Sequence, residues 1–215
     1  MTAPLAVSPL EARLAQALAA PGRATSDFDL NPGTVLPEGR RLREAAVLVP
    51  ILEGPGRSAT GWGGARVVLT KRSPRLAHHP GQVAFPGGKV DAGDADVEAA
   101  ALREAEEEIG LPRANVRVLG RLAAHETVTG FRVTPVLALV APFVPRPEPG
   151  EVAEVFDVPL SHLADPAAYA VERRRWRGTW RHYYVAPYGP YYIWGATGRM
   201  LRALAERLAS CAPTR

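Results

Sequence analysis

The sequence predicts an α/β fold of the α+β kind, in which a few helices cover a mixed β-sheet. Three observations predict it. Apolar runs of strand length, such as Ala45 to Leu52, recur along the chain. Helical periodicity is confined to three longer segments, one near the N-terminus, one at Val97 to Ile109 and one at Ala196 to Leu208. The 21 prolines and 20 glycines fall singly or in small clusters between these runs, where they punctuate turns. Helices packed on a sheet let elements of both kinds bury an apolar face.

Taken in order, Ser8, Pro9 and Glu11 form a capping-box start with proline at the first helical position. Leu10, Leu14 and Leu18 continue at helical spacing until Pro21 and Gly22 stop them. A polar connector runs from Pro21 to Arg43. Strands follow at Ala45 to Leu52 and Arg66 to Thr70, joined by a glycine-rich hairpin loop from Gly54 to Gly64. After a loop from Lys71 to Gly81 comes a short apolar piece, Val83 to Phe85, and then Pro86, Gly87 and Gly88 as a tight turn. Val97 to Ile109 is a helix stopped by Gly110. Further strands are expected at Val116 to Leu119, Leu122 to Glu126, Val133 to Val140 and Val155 to Pro159, the last leading into Leu160 to Leu163. Trp180 to Ala186 and Tyr191 to Trp194 form a hairpin turned by Pro187 to Pro190, before the final helix.

At 215 residues and 47% hydrophobic content, the chain reads as one domain over 1–215, with 1–43 as N-terminal helix and connector. A single cysteine, Cys211, cannot form an internal disulfide, which points to the cytoplasm. Glu11 and Arg13 interrupt the N-terminal apolar stretch, unlike a signal peptide, and no apolar stretch has the length of a transmembrane helix. The formal charge of +4 is modest for a nucleic-acid binder. The densest basic cluster, Arg173, Arg174, Arg175, Arg177 and Arg181 with Trp176 and Trp180, could meet phosphates, but reads first as a solvated hairpin edge. Neither a nucleic-acid nor a membrane partner is expected, and the oligomeric state is open.

The chemistry concentrates in Leu102 to Leu111, LREAEEEIGL. At about 100° per residue, Leu102, Ala105 and Ile109 share one helix face, while Glu104, Glu107 and Glu108 gather nearly opposite. Like charges three or four positions apart cost roughly a few tenths of a kcal/mol each, and the C-terminal end of a helix already disfavours negative charge. Within the helix only Arg103, four residues before Glu107, is well placed to compensate. A solvated acidic face is the ordinary reading of such a run. A hard divalent cation is the natural neutraliser, since Mg²⁺ prefers oxygen ligands and is commonly held by a few carboxylates together with substrate phosphates.

Gly87, Gly88, Asp91, Asp94, Arg103, Glu104, Glu107, Glu108, Gly110 and Leu111 together resemble the Nudix box, and Arg103 to Leu111 fits it throughout. Two departures lie upstream: Asp94 stands where the general pattern has glutamate, and the spacer to Arg103 is one residue longer. The resemblance implies a Nudix-type α/β/α sandwich and a hydrolase using Mg²⁺ or Mn²⁺. Glu104 and Glu108 would be the principal metal ligands, assisted by Glu107, with Arg103 orienting a glutamate. Gly88 would let the backbone approach the metal, and it reads equally well as a turn glycine.

Leu69 to Gly88, LTKRSPRLAHHPGQVAFPGG, resembles the additional signature of coenzyme A pyrophosphatases within that superfamily. The likeness extends to Phe131 to Val136, Glu151 to Ser161 and Tyr192 to Thr197. It implies cleavage of the diphosphate of coenzyme A, or of an acylated form, into 3',5'-ADP and 4'-phosphopantetheine. Lys71, Arg72, Arg75, His79, Gln82 and Phe85 would contact substrate. Ala77 departs from the arginine common in relatives, so the basic contacts fall to Lys71, Arg72 or Arg75. His78 and His79 lack the spacing of a metal pair and read as substrate contacts or plain loop residues. For the general base, Glu107, Glu151 and Glu154 compete, with Glu107 favoured because its helical position is fixed relative to the ligands. Rival readings are hydrolysis of ADP-ribose or another nucleoside diphosphate derivative, and a non-catalytic coenzyme A sensor, which would have no need of all three glutamates.

Overall fold

A computed structural model describes residues 7–54, 62–176 and 178–211. In chain order the elements are α1 (Pro9–Ala19), β1 (Thr25–Ser26), β2 (Arg43–Leu52), β3 (Arg66–Arg72), β4 (Val83–Ala84), β5 (Gly87–Lys89), α2 (Val97–Ile109), β6 (Val116–Arg121), β7 (His125–Glu126), β8 (Phe131–Val140), β9 (Val152–Pro159), α3 (Leu160–Leu163), β10 (Ala170–Trp176), β11 (Thr179–Tyr188), β12 (Tyr191–Trp194) and α4 (Gly195–Ser210).

The main sheet is mixed. β2 and β8 run parallel in register from Arg43↔Phe131 to Leu52↔Val140, while β3 pairs antiparallel with β2 and with β9, and β6 antiparallel with β8. β2 is central, and its apolar run is continuous because both faces are covered. Val49 and Ile51 enter one core with α1, α3 and α4, whereas Ala46 and Leu48 enter another with Ala101, Ala105 and Ile109 of α2. The two-residue alternation of a strand thus separates two helical layers. The result is the expected α/β/α sandwich, with β10, β11 and β12 as a second, antiparallel sheet.

Local signals explain the helix ends. The Ser8 hydroxyl accepts from Glu11 N at 3.2 Å, and the Asp96 carboxylate accepts from Ala99 N at 2.9 Å. Gly110 closes α2 in the left-handed conformation.

Several expectations require correction. Pro86 to Gly88 is no tight turn: Gly87–Lys89 is a strand on β2, and Leu48 N donates to Pro86 O at 2.9 Å. Glycine is needed there for clearance, because a Cβ on Gly87 would lie 2.4 Å from Ala46 O. β6 continues past a bulge to Arg121, which leaves only His125–Glu126 of the expected Leu122 to Glu126 strand. The connector contains β1, a parallel partner of β7. The Arg173 to Arg175 run lies on β10, whose residues are all exposed, and its fellow Arg177 is outside the described residues. So is most of the expected hairpin loop, residues 55–61.

Candidate active site

A cleft of about 410 Å³ is lined by Glu104, Glu107, Glu108, Glu148 and Glu151. α2 supplies the first three from successive turns. The other two arrive on the loop after β8, which seals the end of that helix: Arg146 N donates to Ile109 O and Glu148 N to Glu108 O, both at 2.9 Å. These are carbonyls that a helix terminus leaves unpaired. Glu151 O in turn accepts from Ser73 N at 2.8 Å, tying the base of the 73–82 loop to the cleft.

Glu108 is 6% exposed, and Gly87 N donates to its Oε2 at 3.0 Å. Burial pushes its carboxyl up to about 7, with Glu104 and Glu151 adding to the shift and the Gly87 N–H and Arg72 opposing it. Glu104 is also raised, first by burial, against the pull of Arg103. Its carboxylate leans on the backbone of β5, where a Cβ on Gly88 would lie 2.4 Å from Glu104 Oε1 and displace that side chain. Glu107 is the most exposed of the three on α2.

Arg103 organises this patch. Its Nε and Nη2 donate to the two oxygens of Asp94, each at 3.0 Å, while Nη1 donates to Glu104 at 3.1 Å and to Glu107 at 3.0 Å. The two parallel bonds from Arg103 hold the Asp94 carboxyl down at about 2. The shorter aspartate and the longer spacer therefore still deliver a carboxylate to the arginine.

The donor set suits a hard cation. It is all oxygen, and the two glutamates raised by burial lack a full counter-charge. As the side chains stand, no three His, Cys, Asp or Glu side chains among the described residues form a ready ligand cluster. Glu104 is engaged by Arg103 and Glu108 by Gly87, so a cation entering the cleft competes for carboxylates already held in place.

The NUDIX domain family matches residues 42–177, which include every glutamate of the cleft. The chain belongs to the Nudix family. The Nudix hydrolase NudL of Escherichia coli, described as uncharacterized, is 42% identical over 167 residues, 77% of this chain and 83% of its own length. A protein of the same description from Salmonella heidelberg is 39% identical over 184 residues, 85% of this chain and 92% of its own. In fold, the chain is similar to the crystal structure of RenU, a Nudix hydrolase of M. smegmatis, at a TM-score of 0.54 and 24% identity, covering 82% of this chain and 90% of that one. The protein is thus a Nudix hydrolase; Nudix hydrolases act on small nucleotide-derived substrates and generally use divalent ions such as Mg²⁺ or Mn²⁺. No helix among the described residues is long and apolar enough to cross a membrane.

Within this Nudix frame, Arg103 reaches Glu104 and Glu107, Gly88 lies against Glu104, and Glu108 shares the cleft with both glutamates. Arg72 stands close enough to favour the charged form of Glu108, and its buried Nε makes no hydrogen bond. Lys71 faces Glu154 across β3 and β9. Arg75 and His79 are exposed on the 73–82 loop, which Arg72 N closes by donating to Gln82 O at 2.9 Å. Phe85 stands apart: at 3% exposure it packs in the α4-side core, so the ligand contact expected of it meets a side chain with no open face. Glu154 is not among the residues lining the cleft, and its carboxylate accepts from the hydroxyl of Tyr191, which stacks on Phe156. Sequence reading passed over Glu148, because the signal for it, a backbone bond to Glu108, is long-range.

Proposed function

We propose that the chain hydrolyses the diphosphate of coenzyme A, or of an acylated coenzyme A, to 3',5'-ADP and 4'-phosphopantetheine, using Mg²⁺ or Mn²⁺. The observation that carries the reading is the glutamate cleft, with Glu108 buried at its base beside Arg72. The choice of coenzyme A rests on the Leu69 to Gly88 signature, whose loop is anchored to the cleft through Ser73 and Glu151.

Glu104 and Glu108 would hold the ion, with Glu107 assisting and Gly88 giving it room. A bound Mg²⁺ or Mn²⁺ supplies Lewis acidity, neutralising phosphoryl oxygens and lowering the pKa of a coordinated water. The chain's own part is placement. Arg103, fixed by Asp94, orients Glu104 and Glu107. Of the carboxylates that compete as general base, Glu107 and Glu151 both line the cleft, where either would take a proton from water. Arg72, with Lys71 and Arg75 from the adjoining strand and loop, would bind phosphate, guanidinium forks suiting phosphate oxygens. Water adds across the P–O–P bridge, and each product keeps one phosphoryl group of the diphosphate, 3',5'-ADP carrying the 3'-phosphate as well. The single thiol, Cys211, accords with a cytoplasmic enzyme.

Incubation with coenzyme A, ADP-ribose and a nucleoside triphosphate, each with and without Mg²⁺ or Mn²⁺, tests the reading. Metal-dependent release of 3',5'-ADP with the highest kcat/KM for coenzyme A supports it. Faster turnover of ADP-ribose reassigns the substrate, and tight binding of coenzyme A without turnover makes the chain a sensor. Glu107→Gln and Glu151→Gln then identify the base: its loss lowers kcat without raising the metal requirement.

A further inference from the structure

We infer that the chain carries a second binding site, a cavity of about 270 Å³ between α4, the segment around Gly22 and β8, suited to a small amphipathic anion: a phosphate or carboxylate on a short apolar body. It lies across the sheet from the glutamate cleft, since α4 shares its core with Val49 and Ile51 whereas α2 shares its core with Ala46 and Leu48. Its arginines, Arg23, Arg199 and Arg207, fall outside residues 42–177, so the Nudix match does not account for them.

The charges are unbalanced. Arg199, 7% exposed, donates from Nε to Asp29 at 2.7 Å. Glu206, also at the cavity, is paired with Arg202 at 2.9 Å and lies 3.9 Å from Arg199 Nη1. Arg207 donates to Ala20 O at 2.7 Å, but neither it nor Arg23 forms an ion pair among the described residues. Two guanidiniums therefore face the cavity without counter-charge. In addition, Arg199 Nη1 and Arg207 Nε are buried and make no hydrogen bond. Native proteins satisfy most buried donors, so these two arginines carry unsatisfied polarity at the cavity wall, and an anion in the cavity is the partner that would answer the charge.

Apart from Thr25 and Ser210, the remaining wall is largely apolar, with Leu122, Pro135, Met200 and Ala203. A bare inorganic ion would leave that surface wet, whereas an alkyl or similar body covers it. The site is also stiff. Thr25 at its edge pairs with His125 Nδ1 at 2.9 Å, His125 Nε2 pairs with Asp27 at 3.1 Å, and the second oxygen of Asp27 accepts from Val128 N at 2.8 Å. The Arg207 guanidinium lies against the backbone at Gly22, where a Cβ would stand 2.5 Å from it. A preformed cavity loses less conformational freedom when a ligand enters.

Calorimetric titration of the full chain with hexyl phosphate, in EDTA so that the negative glutamate cleft repels the probe, tests the site. The expected result is one saturable equivalent with a dissociation constant below about 1 mM, with hexanol and inorganic phosphate each weaker by about tenfold or more. Arg207→Met should weaken hexyl phosphate about tenfold by removing one guanidinium, and Ala203→Phe should abolish binding by filling the cavity. Arg23→Gln, at an exposed position, makes the same charge test if Arg207→Met does not fold. Saturable binding that is indifferent to all three substitutions, or no saturable binding, overturns the site. Inorganic phosphate binding as tightly as hexyl phosphate overturns its amphipathic character.

Discussion

The acidic run of α2 and the basic run of the β10–β11 hairpin are similarly dense in charge, yet the fold treats them oppositely. Arg173, Arg174 and Arg175 lie on a fully exposed strand, where water and salt screen them and Arg173 rests over the Trp180 ring at 4.7 Å. Glu104 and Glu108 are carried into a cleft, where burial raises both carboxyls and Arg103 is shared among Asp94, Glu104 and Glu107. Charge density alone therefore says little. What marks a site is convergence under desolvation, because only there does the protein hold an arrangement that favours an added ion.

That contrast can be broken at its strong end first. Glu104→Gln and Glu108→Gln should each lower diphosphate hydrolysis by roughly 10²–10³-fold, with circular dichroism unchanged. An enzyme that keeps its turnover in either variant would sink the metal assignment. The next effect is one of pH. Because burial raises Glu108 to about 7, the native chain without metal keeps a proton there that the unfolded chain releases above its ordinary value of 4.5. Stability in EDTA should then be greatest below that value and fall as pH rises through about 7, by up to about 3 kcal/mol, as read by urea melts. Glu108→Gln should flatten that slope, and Mg²⁺ should restore stability at the alkaline end.

Asp94→Asn comes third. It keeps the shape but removes the charge that fixes Arg103, and an indirect support of this kind should cost about 10–100-fold in activity or metal affinity. A loss confined to kcat/KM at low metal, rescued by excess metal, would locate the effect in ligand orientation. Smallest of all, Arg174→Gln or Arg175→Gln should shift stability by no more than about 0.5 kcal/mol and leave hydrolysis within about twofold. A large loss there would show that the hairpin belongs to the substrate path.

Much of this was legible beforehand. The span of α2 and its Gly110 stop follow from local rules, as does the placing of Glu104, Glu107 and Glu108 on one side. The central strands announced themselves as apolar runs because β2 and β8 are covered on both faces. Misreadings came where one residue type serves two purposes. Pro86-Gly87-Gly88 has turn composition, but Gly87 and Gly88 sit in a strand, where glycine gives clearance to Ala46 and Glu104. Phe85, within the signature segment, packs into the core instead.

The sequence by itself determined which carboxylates share a helix face, because the 3.6-residue period is fixed by hydrogen bonds only four residues apart. Only the tertiary structure decided which distant residues join them. Glu148 and Glu151 line the cleft because Glu148 N finds the open carbonyl of Glu108, while Glu154, three residues beyond Glu151, lies past the start of β9 and turns to Tyr191. Such destinations depend on backbone bonds between segments remote in the chain, and no local pattern encodes them.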